Sequence, residues 1–101
     1  MNLKVIEAKK FKSRLFGLMF KKKKTLPLLI PNCNRIHTYF MFKEIDVYYL
    51  DSTCKVLKID KKMRPNKISE KVVNCMHILE TDINELVTIS IGDVMNFIKA
   101  K

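Results

Sequence analysis

From Arg35 to Leu50 the chain is apolar on both sides of an extended backbone, and few folds can accommodate such a segment. Ile36, Thr38, Phe40 and Phe42 alternate with His37, Tyr39 and Met41, and Ile45 to Leu50 continues the pattern. Successive side chains of a strand point to opposite faces, so a strand that is apolar on both must be covered on both. The segment therefore predicts the centre of a sheet. Asp51, Ser52 and Thr53 then supply side chains that bond their own backbone in a turn. Val56, Leu57 and Ile59 follow within Lys55 to Lys62, so residues 45 to 62 read as a hairpin.

The remaining segments predict further strands. Val5 and Ile6 mark a first strand over residues 2 to 8, placed at a sheet edge. Leu26 to Ile30 lies between Pro27 and Pro31, which also suggests an edge. Met63 to Val72 reads as a loop around Pro65. Cys75, His77 and Leu79 alternate with Met76, Ile78 and Glu80 in another strand. Thr81 or Asp82 can cap a turn through Leu86, Thr88 to Ile91 reads as extended, Gly92-Asp93 turns, and Val94 to Ile98 closes the sheet. Near the N-terminus, Phe11, Leu15, Leu18 and Met19 share one helical face behind a Ser13 cap, so one short helix is expected before the Lys21 to Lys24 run. The expected fold is mainly β: a compact antiparallel β-sandwich or distorted barrel with one short helix near the N-terminus.

A length of 101 residues supports one core, so a single domain over residues 1 to 101 is expected. Cys33, Cys54 and Cys75 are odd in number and form no C-x-x-C, which predicts reduced thiols in a cytoplasmic protein. Leu15 to Phe20 is short for a signal-peptide core, and no stretch reaches the roughly 20 apolar residues of a membrane span. Eight lysines and Arg14 stand against one acid in residues 1 to 24, so most of the net charge of +10 lies in the first quarter of the chain. Such a face can attract nucleic acid or another anionic surface through Lys21, Lys22, Lys23 and Lys24. The simpler reading, a solvated run that keeps a lysine-rich chain soluble, is preferred.

Four blocks in one order carry a family resemblance. They are Arg14-Leu15-Phe16-Gly17-Leu18-Met19, the segment from Ile36 to Val47 with Met41 and Asp46, Leu79-Glu80, and Gly92-Asp93; Pro65 also fits. Over residues 3 to 98 the chain resembles domain of unknown function 192, a family of small prokaryotic domains. It departs from the family pattern at Glu44-Ile45-Asp46, where many members read Pro-Leu-Asp, and at Phe40-Met41, where many read Trp-Met. The resemblance implies a compact, mainly antiparallel β structure with a short helix and no definite activity.

The polar members of these blocks are the candidate site residues: Arg14, Asp46, Glu80 and Asp93, with Met41 beside them. They could line a pocket in which the Arg14 fork holds a carboxylate or phosphate. The structural alternative, an ion-pair network tying helix to sheet, is preferred, because a carboxylate on an apolar strand requires a partner. Cys33 with His37 and Cys75 with His77 each share a strand face by spacing, which is weak support for zinc, and no metal or other cofactor is assigned. No Gly-rich phosphate loop, G-x-S-x-G or H-E-x-x-H occurs. The preferred reading is a non-enzymatic binding or accessory domain for a peptide, protein or small ligand. The alternatives are a basic nucleic-acid-binding face and an enzyme built on Arg14, Asp46 and Glu80.

Overall fold

The computed structural model describes residues 2–7, 27–36, 44–65 and 67–99. Six strands form one sheet: β1 (Asn2–Glu7), β2 (Leu28–Pro31), β3 (Ile45–Leu50), β4 (Val56–Met63), β5 (His77–Asp82) and β6 (Asn96–Lys99). Their spatial order is β4-β3-β5-β2-β1-β6. β3 is buried along its whole length, as an apolar strand with two covered faces must be. It pairs antiparallel with β4 on one side and β5 on the other.

Alternation along β3 and β5 separates two cores. Leu28, Ile30, Ile45, Val47, Tyr49 and Ile78 belong to one cluster, and Val5, Leu29, Tyr48, Leu50, Val56 and Leu79 to the other, on the opposite face. Tyr48 and Tyr49 are adjacent in sequence and fully buried on opposite sides. The Tyr49 hydroxyl donates to Asp60 Oδ2 at 2.7 Å, and the Tyr48 hydroxyl to the Leu86 carbonyl at 3.3 Å, so neither polar tip is left bare.

The architecture departs from the expected antiparallel sandwich. A single mixed sheet is present, in which β1 runs parallel to both β2 and β6. β1 and β2 are interior strands rather than edges. Pro27 precedes β2 and Pro31 ends it, so neither ring interrupts the ladder, and the Pro27 carbonyl accepts from Ile6 N at 2.9 Å. The sheet curls without closing. Val56 N donates to the Asp93 carbonyl and Gly92 N to the Val56 carbonyl, both at 2.8 Å, and Met95 N donates to the Cys54 carbonyl at 2.9 Å. These bonds surround one isolated antiparallel bridge, Lys55 to Val94, and no ladder joins β4 to β6.

The hairpin turn forms as its residues predict. Asp51 Oδ1 accepts from Thr53 N at 2.8 Å, Thr53 Oγ1 at 2.7 Å and Lys55 N at 3.0 Å. The strand expected from Cys75 begins at His77 instead. Cys75 closes a turn with Val72, its N–H reaching the Val72 carbonyl at 3.2 Å, and Asn74 takes the left-handed φ of 66° that the turn needs. The segment expected to be extended at 88 to 91 joins no strand, since residue 88 ends one turn and residue 91 opens the next at Gly92, and β6 begins two residues later than the alternation suggested. No helix occurs among the described residues, and the short helix expected near the N-terminus falls outside them. Among the described residues there is accordingly no helix long and apolar enough to cross a membrane.

Candidate functional site

On the second face of the sheet, β1, β2 and β6 end at Glu7, Pro31 and Lys99, beside His77 at the start of β5. These four ends open into a cleft of about 430 Å3. Leu29, Pro31 and His77 form its floor. One wall is the turn residues Ser52, Thr53 and Cys54, and the other is Met95, Asn96 and Phe97 of the last strand and its approach. The sequence produces the two walls separately. The Asp51 side chain organises the turn, while Gly92, at a φ of 96° that suits glycine, swings residues 92 to 95 against residues 54 to 56.

The volume lies within the few-hundred-Å3 range of ligand pockets, and an apolar floor with a few polar groups is their usual lining. Lys99 Nζ pairs with Glu7 Oε2 at the rim. The Nδ1 atom of His77 is buried and finds no hydrogen-bond partner. Burial, reinforced by the negative charge of Asp51, pushes the Cys54 thiol above its ordinary range, so it is not poised as a thiolate.

The residues singled out in the sequence lie elsewhere. Asp46 is fully buried at the edge of the second cluster and completely satisfied. Its Oδ1 accepts from Lys62 N at 2.9 Å, and its Oδ2 from Asn84 N at 2.9 Å and Lys61 Nζ at 3.1 Å. Burial acts to raise its pKa, but the two backbone N–H groups and the Lys61 ammonium outweigh it and hold the carboxyl below its ordinary value. Lys61 also donates to the Tyr48 hydroxyl at 3.1 Å and sits over its ring. Asp46 thereby fastens β3, β4 and the turn after β5 to one another.

Glu80 faces the other way. Its register partners are Val47 on β3 and Leu28 on β2, both in the first cluster, whereas Asp46 shares its face with Tyr48. An Asp46 and Glu80 cluster is not formed, because residues in adjacent register positions point to opposite faces. Burial alone raises the Glu80 pKa to about 8, so it keeps its proton at neutral pH. Asp93 closes a third, exposed structure: its Oδ2 accepts from Ser90 N at 2.8 Å, and its N–H donates to the Ser90 carbonyl at 3.1 Å. Arg14, Met41 and Lys21 to Lys24 lie outside the described residues.

Cys75 and His77, assigned to one strand face by spacing, open onto different clefts, because the turn at Cys75 breaks the alternation. His37 lies outside the described residues. Among those described, no three His, Cys, Asp or Glu side chains stand close enough to hold a metal ion. The cleft residues themselves were not legible as a site. They come from four strand ends and a turn that share no motif, and the sequence marks Pro31, Ser52, Thr53, Cys54 and His77 only for other reasons.

The model of the family "Uncharacterized ACR", domain of unknown function 192, matches residues 1–97. The chain belongs to this family. The family has no assigned activity, and no curated protein matches the chain. Two crystal structures share the fold seen here. A protein of unknown function from Novosphingobium aromaticivorans DSM 12444 is 14% identical, with a TM-score of 0.70 over 89% of this chain and 70% of that one. A protein from Sinorhizobium meliloti 1021, provisionally described as a transcription regulator, is 17% identical, with a TM-score of 0.76 over 89% of this chain and 78% of that one. At these identities the likeness is one of fold.

Proposed function

We propose that this domain of unknown function 192 member is a non-enzymatic binding module for a small ligand, and that the ligand occupies the cleft between the 51 to 54 turn and β6. The observation that carries this reading is the cleft itself. It is ligand-sized, has an apolar floor, and is bordered by His77, the Lys99 and Glu7 pair, and the Ser52 and Thr53 hydroxyls. Such a lining suits a molecule with an apolar body and one polar end. The arrangement does not favour catalysis: no hydrogen bond joins Cys54 to His77, the thiol is held protonated, and Asp46 and Glu80 lie on opposite faces.

A thermal-shift screen of the purified chain against a metabolite panel tests the proposal, with His77→Ala and Lys99→Ala as variants. A compound that stabilises the wild type and binds either folded variant about tenfold more weakly, equivalent to about 1.4 kcal/mol, places its site in the cleft. A compound that stabilises the wild type and both variants equally sets the cleft aside. Short oligonucleotides in the same panel test the basic-face reading, whose signature is affinity falling steeply with salt. The residues that would carry that reading, Lys21 to Lys24, lie outside the described residues.

A further inference from the structure

Cys33 and Cys75 are far apart in sequence and meet where β2 leaves the sheet and β5 enters it. Cys33 N donates to the Met76 carbonyl at 2.9 Å, which sets the two backbone segments side by side. Both side chains lie on the first face of the sheet: Cys75 belongs to that apolar cluster, and Cys33 packs against it. The Cys75 thiol reaches the Cys33 carbonyl at 3.4 Å, and the Cys33 thiol reaches the Arg35 carbonyl at 2.8 Å. Both residues line a cleft of about 320 Å3 with Asn32, Asn34 and Met76, on the face opposite the proposed ligand site. Burial chiefly raises the Cys75 pKa, hydrogen bonds with the Leu50 and His77 backbone work against it, and the nearby Cys33 adds a smaller upward push. Cys75 is thus the shielded member and Cys33 the half-exposed one. A disulfide needs a Cα separation of about 4.4–6.8 Å, and the bond from Cys33 N to the Met76 carbonyl holds the two segments side by side.

We propose that Cys33 and Cys75 form a dithiol modification site that closes to an intramolecular disulfide on reaction with a low-molecular-weight disulfide such as oxidised glutathione. The Cys33 thiolate attacks one sulfur of the small disulfide, forming a mixed disulfide and releasing one small thiolate, which takes up a proton. Cys75, once deprotonated, attacks the Cys33 sulfur of the mixed disulfide and expels the second small thiol. The protein loses two hydrogens and two electrons, and one oxidised glutathione becomes two reduced molecules. Cys54, on the other cleft, takes no part.

The test treats the reduced, folded chain with oxidised glutathione and follows intact mass and non-reduced peptide maps. The expected product has lost two hydrogens, links the Cys33 and Cys75 peptides, and leaves Cys54 open to alkylation. Cys54→Ser forms the same link, whereas Cys33→Ser, at the half-exposed position, loses no pair of hydrogens. A wild-type chain that stops at a stable glutathione adduct, links either thiol to Cys54, links two chains, or does not react overturns the proposal. The wild-type peptide map decides the question even if a Cys75 variant fails to fold.

Discussion

Glu80 ties the pH dependence of this fold to one residue. In the unfolded chain its carboxyl ionises from about pH 4.5, whereas in the folded chain burial between Leu28 and Val47 holds the proton to about pH 8. An acid whose folded pKa is raised favours the fold fully below its unfolded pKa and progressively less up to its folded one. Stability therefore falls across the window from about pH 4.5 to about pH 8 and levels off above it. Each pH unit in that window removes about 1.4 kcal/mol, so from pH 5 to pH 7.5 the loss is about 3 kcal/mol. Glu80→Gln keeps the shape and carries no proton to lose. Urea unfolding of wild type and variant, followed by far-ultraviolet circular dichroism at pH 5, 6, 7 and 7.5, reads the difference directly. The two proteins should have similar midpoints at pH 5, and the variant should be the more stable by about 3 kcal/mol at pH 7.5. If the variant loses stability with pH as steeply as the wild type, Glu80 is ionised and paired in the fold and the reasoning fails.

Three further outcomes follow from the same structure. Asp46→Ala removes the acceptor of two backbone N–H groups and one ammonium and should cost about 3 kcal/mol in urea unfolding. Because its folded pKa is lowered, the stability Asp46 contributes is present above its ordinary 3.8 and is lost as pH falls through the folded value, so the difference from wild type should shrink in strong acid. Gly92→Ala meets no atom within 4 Å but forces a φ of 96° on an L side chain, and should lower stability by about 1–2 kcal/mol in thermal melts without changing the fold. Leu79→Ala opens a void in the second cluster and should cost about 2–5 kcal/mol by the same assay.

Local chemistry made much of this fold legible. The two-sided apolar run from Ile45 to Leu50 placed β3 inside the sheet with both faces covered, though second from the β4 edge rather than at the centre, and Asp51-Ser52-Thr53 announced the hairpin turn that Asp51 Oδ1 organises. What alternation cannot carry is partnership between distant segments. Nothing in Val5 and Ile6 says that β1 runs parallel to both β2 and β6, because a parallel neighbour leaves no turn signature. Proline misled in a specific way: Pro27 and Pro31 flank β2 and do not interrupt it, so a feature read as an edge marks only the strand's ends. Cys75 was assigned to a strand because turn residues Val73 and Asn74 precede it without the Gly or Pro that usually reveals a turn.

The same comparison sorts the shared polar residues by what surrounds them. Asp46 and Glu80 both stand in family-matching blocks and both are buried, yet one is saturated with donors while only burial shifts the pKa of the other. Asp46 is fully buried and holds donors from β4 and from the turn after β5, so a ligand could reach it only by unfastening those elements. Asp93 is likewise committed to its own turn. These two therefore act as fasteners. The proposed ligand site draws instead on groups that the sequence did not bring together: His77, the turn hydroxyls, and the Lys99 and Glu7 pair. Among the described residues, the family-matching Asp46 and Asp93 thus hold the curled sheet together, and the proposed ligand site draws on strand ends that the pattern leaves unmarked.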